Sequence, residues 1–200
     1  FFENGLAFDQ NYEAAMNFYR QAAEKFHVSA LYNLGRMYHF GLGVAADYAA
    51  AHRLFLLAAE RGHLICQFLV GKAHLTGLGG IQVNLEEGVS WITRAGQSGL
   101  AKAQAELGLL YLTGEGVELD YTIALNWSVA AATQGDAWGQ YYAAHILIRH
   151  GPRGETEFVE AVKWLVKSFN QPQPDGDRRH DLIREDFKFL QSALPADVFE

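Results

Sequence analysis

Apolar and small residues in this chain recur in two registers that keep step with each other. The first is the phrase Leu34-Gly35-x-x-Tyr38-x-x-Gly41-x-Gly43-Val44, which returns as Leu107-Gly108-x-x-Tyr111-x-x-Gly114-x-Gly116-Val117. A looser copy, Val70-Gly71-x-x-His74-x-x-Gly77-x-Gly79, lies between them. The second register runs Phe18, Leu54, Trp91, Trp127, Trp164. Each has a small residue three before it (Ala15, Ala51, Gly88, Ala124, Ala161) and another four after it (Ala22, Ala58, Ala95, Ala131, Ser168). The steps alternate between 36 and 37 residues, and the doubled Gly79-Gly80 marks the longer step after Leu54. One supersecondary unit has been copied and stacked.

Within a unit, Ala30, Leu34, Met37, Tyr38 and Gly41 share one face at helical spacing and predict a first helix of about 12 residues. Gly41, Gly77 and Gly114 fall where a helix ends in left-handed backbone. A cap residue and an aromatic or aliphatic residue follow each glycine loop: Asn11-Tyr12, Asp47-Tyr48, Asn84-Leu85, Asp120-Tyr121 and, more weakly, Glu157-Phe158. Asn and Asp accept from the free amides of a first helical turn, and Asn84-x-x-Glu87 reads as a capping box. A second helix then runs to Gly62, Gly99 or Gly135, with its Ala-x-x-aromatic-x-x-x-Ala face suited to close helix approach. No segment alternates as a strand does.

The expected organisation is a solenoid over residues 1–170. It comprises a partial unit 1–28 and helix pairs near 29–62, 63–99, 100–136 and 137–170. A Pro/Gly linker follows at 171–177, kept extended by Pro172 and Pro174. A last amphipathic helix and tail occupy 178–200. In that helix Leu182, Ile183, Phe187, Leu190 and Leu194 form the apolar side, expected either to cap the open end of the stack or to begin a further part of a longer protein. The chain opens on Phe1-Phe2, and we read it as a fragment.

Composition narrows the function. Of 200 residues half are apolar and 20% charged, with a net charge of -7. A substantial core is expected, and a nucleic-acid partner is not, because no basic stripe exists to meet phosphates. No 18-residue apolar run suggests membrane insertion. The single cysteine rules out an internal disulfide framework. Cys66 aligns with Ala30, Ala103 and Gly139 and reads as a buried spacer. The histidines offer no metal-ligand pair at i, i+4, and His74 takes the tyrosine's place in the core. The glycine loops follow helices and sit at the negative end of the helix dipole, which disfavours phosphate. No nucleophile motif is present. No cofactor or metal is therefore expected. Asn126-Trp127-Ser128 matches a glycosylation sequon inside a helical pattern, and we read it as chance.

Along nearly its whole motif, Ala103-x-x-x-Leu107-Gly108-x-x-Tyr111-x-x-Gly114-x-Gly116-Val117-x-x-Asp120-x-x-x-Ala124-x-x-Trp127-x-x-Ala130-Ala131-x-x-Gly135 resembles the Sel-one-like repeat, a relative of the tetratricopeptide repeat. The resemblance is good over 30–62, partial over 66–99 and 139–170, and covers about residues 5–170. Departures are His74 for the tyrosine, Ala144 for the glycine, and the loop Gly151-Pro152-Arg153-Gly154. The resemblance implies an all-α, right-handed superhelix and, for most members, an adaptor role in signalling, secretion, envelope or quality-control complexes. It leans towards the bacterial envelope or periplasm, with the cytoplasm open. Cysteine-rich relatives linked to β-lactam hydrolysis carry repeated cysteine pairs that this chain lacks.

In tetratricopeptide-like stacks the first helices line the concave surface. The positions pointing away from the core face are Tyr32, Arg36 and His39; Phe68, Lys72 and Leu75; Ala105, Leu109 and Leu112; and Tyr141, His145 and Ile148. Lys102, Trp138 and Arg149 flank them. Such a groove is apolar in the middle, aromatic along one row and basic at several points. Two arrangements fit Tyr32, Phe68 and Tyr141: they face a ligand, or they intercalate between first helices. Arg36 and Lys72 lie one repeat apart, roughly 10 Å by the spacing of packed helices. The expectation is a non-enzymatic scaffold whose partner is a peptide or helix with acidic and apolar side chains. The alternatives are a hydrolase-like repeat protein of the envelope and a structural spacer within a larger protein.

Overall fold

The computed structural model describes residues 12–152, 154–172 and 174–193. The cap at Asn11, Arg153 of the departing loop, Gln173 of the linker and Leu194 with the tail fall outside the described residues, as do residues 1–10 of the partial first unit. The described residues form ten α-helices and no strand, as the all-α reading expects. These are α1 Tyr12–Glu24, α2 Val28–Phe40, α3 Tyr48–Glu60, α4 Leu64–Thr76, α5 Leu85–Gln97, α6 Ala101–Thr113, α7 Tyr121–Thr133, α8 Ala137–His150, α9 Glu155–Phe169 and α10 Arg179–Ala193. A 3-10 turn at Leu78–Gly80 takes up the extra residue of its unit. The chain divides into two compact units, 1–95 and 96–200.

Three helix pairs, α2–α3, α4–α5 and α6–α7, are closed by the same backbone bond. The first residue of the cap position donates its N–H to the carbonyl of the motif tyrosine or its substitute: Asp47 to Tyr38 (2.9 Å), Asn84 to His74 (2.9 Å) and Asp120 to Tyr111 (3.0 Å). Gly114 makes the turn possible by adopting φ 73° while its N–H returns to Leu110, a conformation that costs a residue with a Cβ more. The cap side chains then accept from the new helix, Asp47 from Ala50 and Asp120 from Thr122 and Ile123. Asn84 Oδ1 accepts from the Glu87 N–H, but Glu87 meets the Asn84 side-chain amide (3.3 Å). The reciprocal half of the capping box is absent because the Asn84 N–H is already committed to His74.

Close helix approach comes from the small residues. A Cβ at Gly35 would lie 2.6 Å from Phe55 Cε1, and one at Gly71 would lie 2.9 Å from the Gly88 carbonyl. Ala51, Ala58, Ala124, Ala131 and Ala161 are buried, whereas Phe18, first of the aromatic register, is 72% exposed. The aromatic register is thus not uniformly a core register. In two of the loops the second glycine has a separate use. Gly43 receives the Tyr12 side chain, and a Cβ at Gly79 would lie 2.9 Å from Tyr48 Cβ, so this glycine admits the first residue of the preceding second helix.

A ladder of buried glutamines also ties first helices to the second helices before them. Gln67 Nε2 donates to Ala59 O (3.1 Å), Gln104 Nε2 to Gly96 O (3.0 Å) and Gln140 Nε2 to Ala132 O (3.5 Å). Gln134 Nε2 in turn donates to Gln104 Oε1 (2.7 Å). Cys66 is fully buried, and burial pushes its thiol up to about 12.

Candidate functional site

The two units present their first-helix faces differently. In unit 1 the outward positions of α2 are partly covered by neighbouring aromatics. Tyr32 stacks on His63 (4.7 Å between ring centroids) and lies 6.1 Å from Phe55, with the Arg36 guanidinium 5.8 Å over its ring. Tyr32 thus packs against the cap of α4 and against α3, with Arg36 over its ring. His39 meets Phe40 and Tyr48 edge-on, and these two rings are 62% and 50% exposed. On α4, Phe68 and Lys72 are half-buried. Leu75 does not line the row. It is buried against Gly88 of α5, where the missing side chain leaves a recess the leucine fills.

In unit 2, α6 keeps Lys102 exposed and Leu109 and Leu112 half-buried, but Ala105 is buried. The first helix of the next pair, α8, packs directly beside α6. On α8, Trp138 lies edge-on to Tyr141 (5.9 Å). Tyr141 and Ile148 are buried, again unlike residues of an open groove. What buries them is α10. The last helix lies against α8 and α9 and shares one apolar cluster with Tyr141, Leu147, Ile148, Ala161 and Leu165 through Ile183 and Leu190.

Polar chemistry at this contact converges on Asp186, which is 1% exposed. His145 Nδ1 lies 2.8 Å from Asp186 Oδ2, and Arg149 Nε donates to Asp186 Oδ1 at 2.9 Å. A buried carboxylate needs such partners, because unpaired it would lose its hydration uncompensated. Burial, and next the Asp186 carboxylate, push the Tyr141 phenol up. The Arg149 guanidinium also sits 3.9 Å over the Phe189 ring. His150 stacks on Tyr121 at 3.9 Å, and burial with the neighbouring His145 and Arg149 lowers its pKa. Of the predicted row, then, Tyr141 and His145 are brought together by a residue that the sequence reading did not single out. Asp186 was legible only as a charge set within the apolar side of the last helix.

Among the described residues no group of three or more His, Cys, Asp and Glu is placed to hold a metal ion. His74 Nε2 lies 3.6 Å from Glu87 Oε1, and burial, then His74, lower the pKa of His52 beside it. None of the described helices is long and apolar enough to cross a membrane.

The Sel1 repeat profile matches residues 1–25, 28–63, 64–100 and 101–136. Among solved structures, a Sel1 repeat protein from Oxalobacter formigenes is 26% identical with a TM-score of 0.77, over 96% of this chain and 82% of that one. The protein c5321, a protective antigen present in uropathogenic Escherichia coli strains and displaying an SLR fold, is 32% identical with a TM-score of 0.75. That similarity takes in 82% of this chain but only 35% of c5321.

Proposed function

The chain belongs to the Sel1 repeat family, whose members are typically protein–protein interaction scaffolds and generally non-catalytic, and on that premise we propose that it is a non-enzymatic adaptor. In each unit the outward row of the first helices holds a helical or extended segment of a partner protein. In unit 1 the row is Tyr32, Arg36, His39, Phe68 and Lys72; in unit 2 it is Lys102, Leu109 and Leu112 on α6, continued on α8 by Trp138 and by Tyr141 and His145, which α10 already occupies. The observation that carries this reading is the seating of α10 on α8. There a first-helix face already holds an amphipathic helix, through aliphatic anchors around a carboxylate paired with Arg149 and His145. The half-buried leucines of α6 supply apolar area for a partner, and Lys102, Arg36 and Lys72 favour acidic groups. Burial then gives most of the affinity, while charge sets orientation and association rate.

The test is recovery of partners by affinity purification and mass spectrometry from wild type, Leu109→Glu, and Arg36→Glu with Lys72→Glu. Both variants should lose partner recovery at an unchanged melting temperature. Wild-type recovery by both would exclude the first-helix rows as the binding surface.

A further inference from the structure

The four most buried residues of α10 are Arg179, Ile183, Asp186 and Leu190, each at most 2% exposed. Their 4-3-4 spacing places them in one seam of the helix. Half of that seam is charged: Asp186 pairs across the contact with Arg149 and His145 of α8, and Arg179 pairs with Asp177 and the Pro172 carbonyl of the linker. A helix held permanently as core gains little from such residues, since buried ion pairs are often matched or bettered by apolar side chains of similar volume. What charged seam residues do provide is register, and tolerance of water when the helix is released. Six of the fifteen residues of α10 are Asp, Glu, Lys or Arg, so its free form is well solvated. The linker from α9 carries Pro172 and Pro174, and the start of α10 is tied back to it and to α9 by Arg179 to the Pro172 carbonyl (3.1 Å) and His180 Nε2 to the Phe169 carbonyl (2.9 Å); release of α10 breaks these contacts as well as the Asp186 pairs.

We propose that the α8 face is a helix-binding site whose resident occupant, α10, is displaceable, and that it accepts from a partner protein an amphipathic helix of the pattern aliphatic-x-x-Asp-aromatic-x-x-aliphatic. The pattern is that of Ile183-x-x-Asp186-Phe187-x-x-Leu190. Arg149 and His145 read the carboxylate, and the cluster around Leu147 and Leu165 receives the aliphatic anchors. The proposal rests on the adaptor reading above and names the partner chemistry of one of its faces. A short tether holds α10 at an effective concentration on the order of 1 mM. A competing helix at about 1 µM must therefore bind roughly 1000-fold better than α10, or the latch must first be loosened.

The probe is a fluorescein-labelled peptide of residues 177–193, added to the full chain and followed by anisotropy. Asp186→Lys sets a cation against Arg149 and His145, which frees the face; this variant should bind the peptide at least tenfold more tightly than wild type does. The same peptide carrying Asp186→Asn should lose about tenfold of that affinity. Equal binding to wild type and variant, or indifference to the peptide's carboxylate, would overturn the proposal. Should Asp186→Lys melt below the assay temperature, the full chain with a protease site placed at 174–176 replaces it. After cleavage, excess labelled peptide should exchange into the protein on gel filtration within hours, and failure to exchange would make α10 a permanent part of the core. Either failure leaves the rows on α2, α4 and α6 untouched, and with them the separate pull-down test of the adaptor reading.

Discussion

Gly108 offers the most exacting test of how the helix pairs are joined. A Cβ added there would collide with Ser128 Oγ and come within 3.3 Å of the Ala124 carbonyl and the Ser128 amide nitrogen. The clash is with a side chain that is fully buried and whose hydroxyl has no hydrogen-bond partner. Glycine to alanine inside a helix would by itself gain about 1 kcal/mol of propensity, whereas overpacking costs about 1–3 kcal/mol. Gly108→Ala should therefore be destabilised by about 1 kcal/mol, and Ser128→Ala alone should be neutral or mildly stabilising because an unsatisfied hydroxyl is removed. Combined, they should exceed wild type, with a coupling of about 1–2 kcal/mol. At about 2–4 °C per kcal/mol for a chain of this size, circular dichroism melts of the four proteins resolve the cycle. Additive effects, or a Gly108→Ala that is simply more stable than wild type, would refute the contact. Gly71→Ala should be worse than Gly108→Ala and not rescuable by a side-chain change, because its Cβ meets the Gly88 backbone oxygen at 2.9 Å.

Cys66, buried with its thiol pushed up to about 12, should resist thiol reagents in the native protein and tolerate Cys66→Ala, while Cys66→Leu should lower the melting temperature markedly; rapid native labelling would contradict the spacer role. His63 caps α4 by accepting from the Cys66 N–H at its Nδ1 (3.2 Å), and burial lowers its pKa below 6.5. The folded form thus favours the neutral ring, so its contribution is complete above pH 6.5 and fades as pH falls through the lowered value. His63→Asn should keep a cap and flatten the loss of melting temperature between pH 7.5 and 5; an unchanged slope would count against the cap.

Much of the fold was legible because its signals are local. Asp47, Asn84 and Asp120 announce helix starts through their own side chains, and Gly41, Gly77 and Gly114 announce ends through backbone conformation. The glutamine ladder was missed although its signal is present: Gln67, Gln104 and Gln140 recur at the repeat spacing, yet a polar residue at helical spacing suggests a solvated face until its acceptor is known. The candidate site was less legible, since outward on a helical wheel does not mean exposed. Leu75 finds a recess made by the absence of a side chain at Gly88, and Ala105 is buried on a helix that another first helix packs beside. Tyr141 is covered by α10, whose destination depended on Asp186 finding Arg149 and His145 about 40 residues away in sequence, a pairing no local pattern encodes.

Partner contact with the first-helix rows can be read out residue by residue. A photoreactive benzophenone side chain at position 109 on α6, compared with one at the exposed Ile123 on α7, tests it directly in the full chain. Cross-linking to a common partner protein from position 109, with none from position 123, is the predicted result. The reverse pattern, cross-links from 123 and silence at 109, would place the binding surface on the second helices and contradict the account.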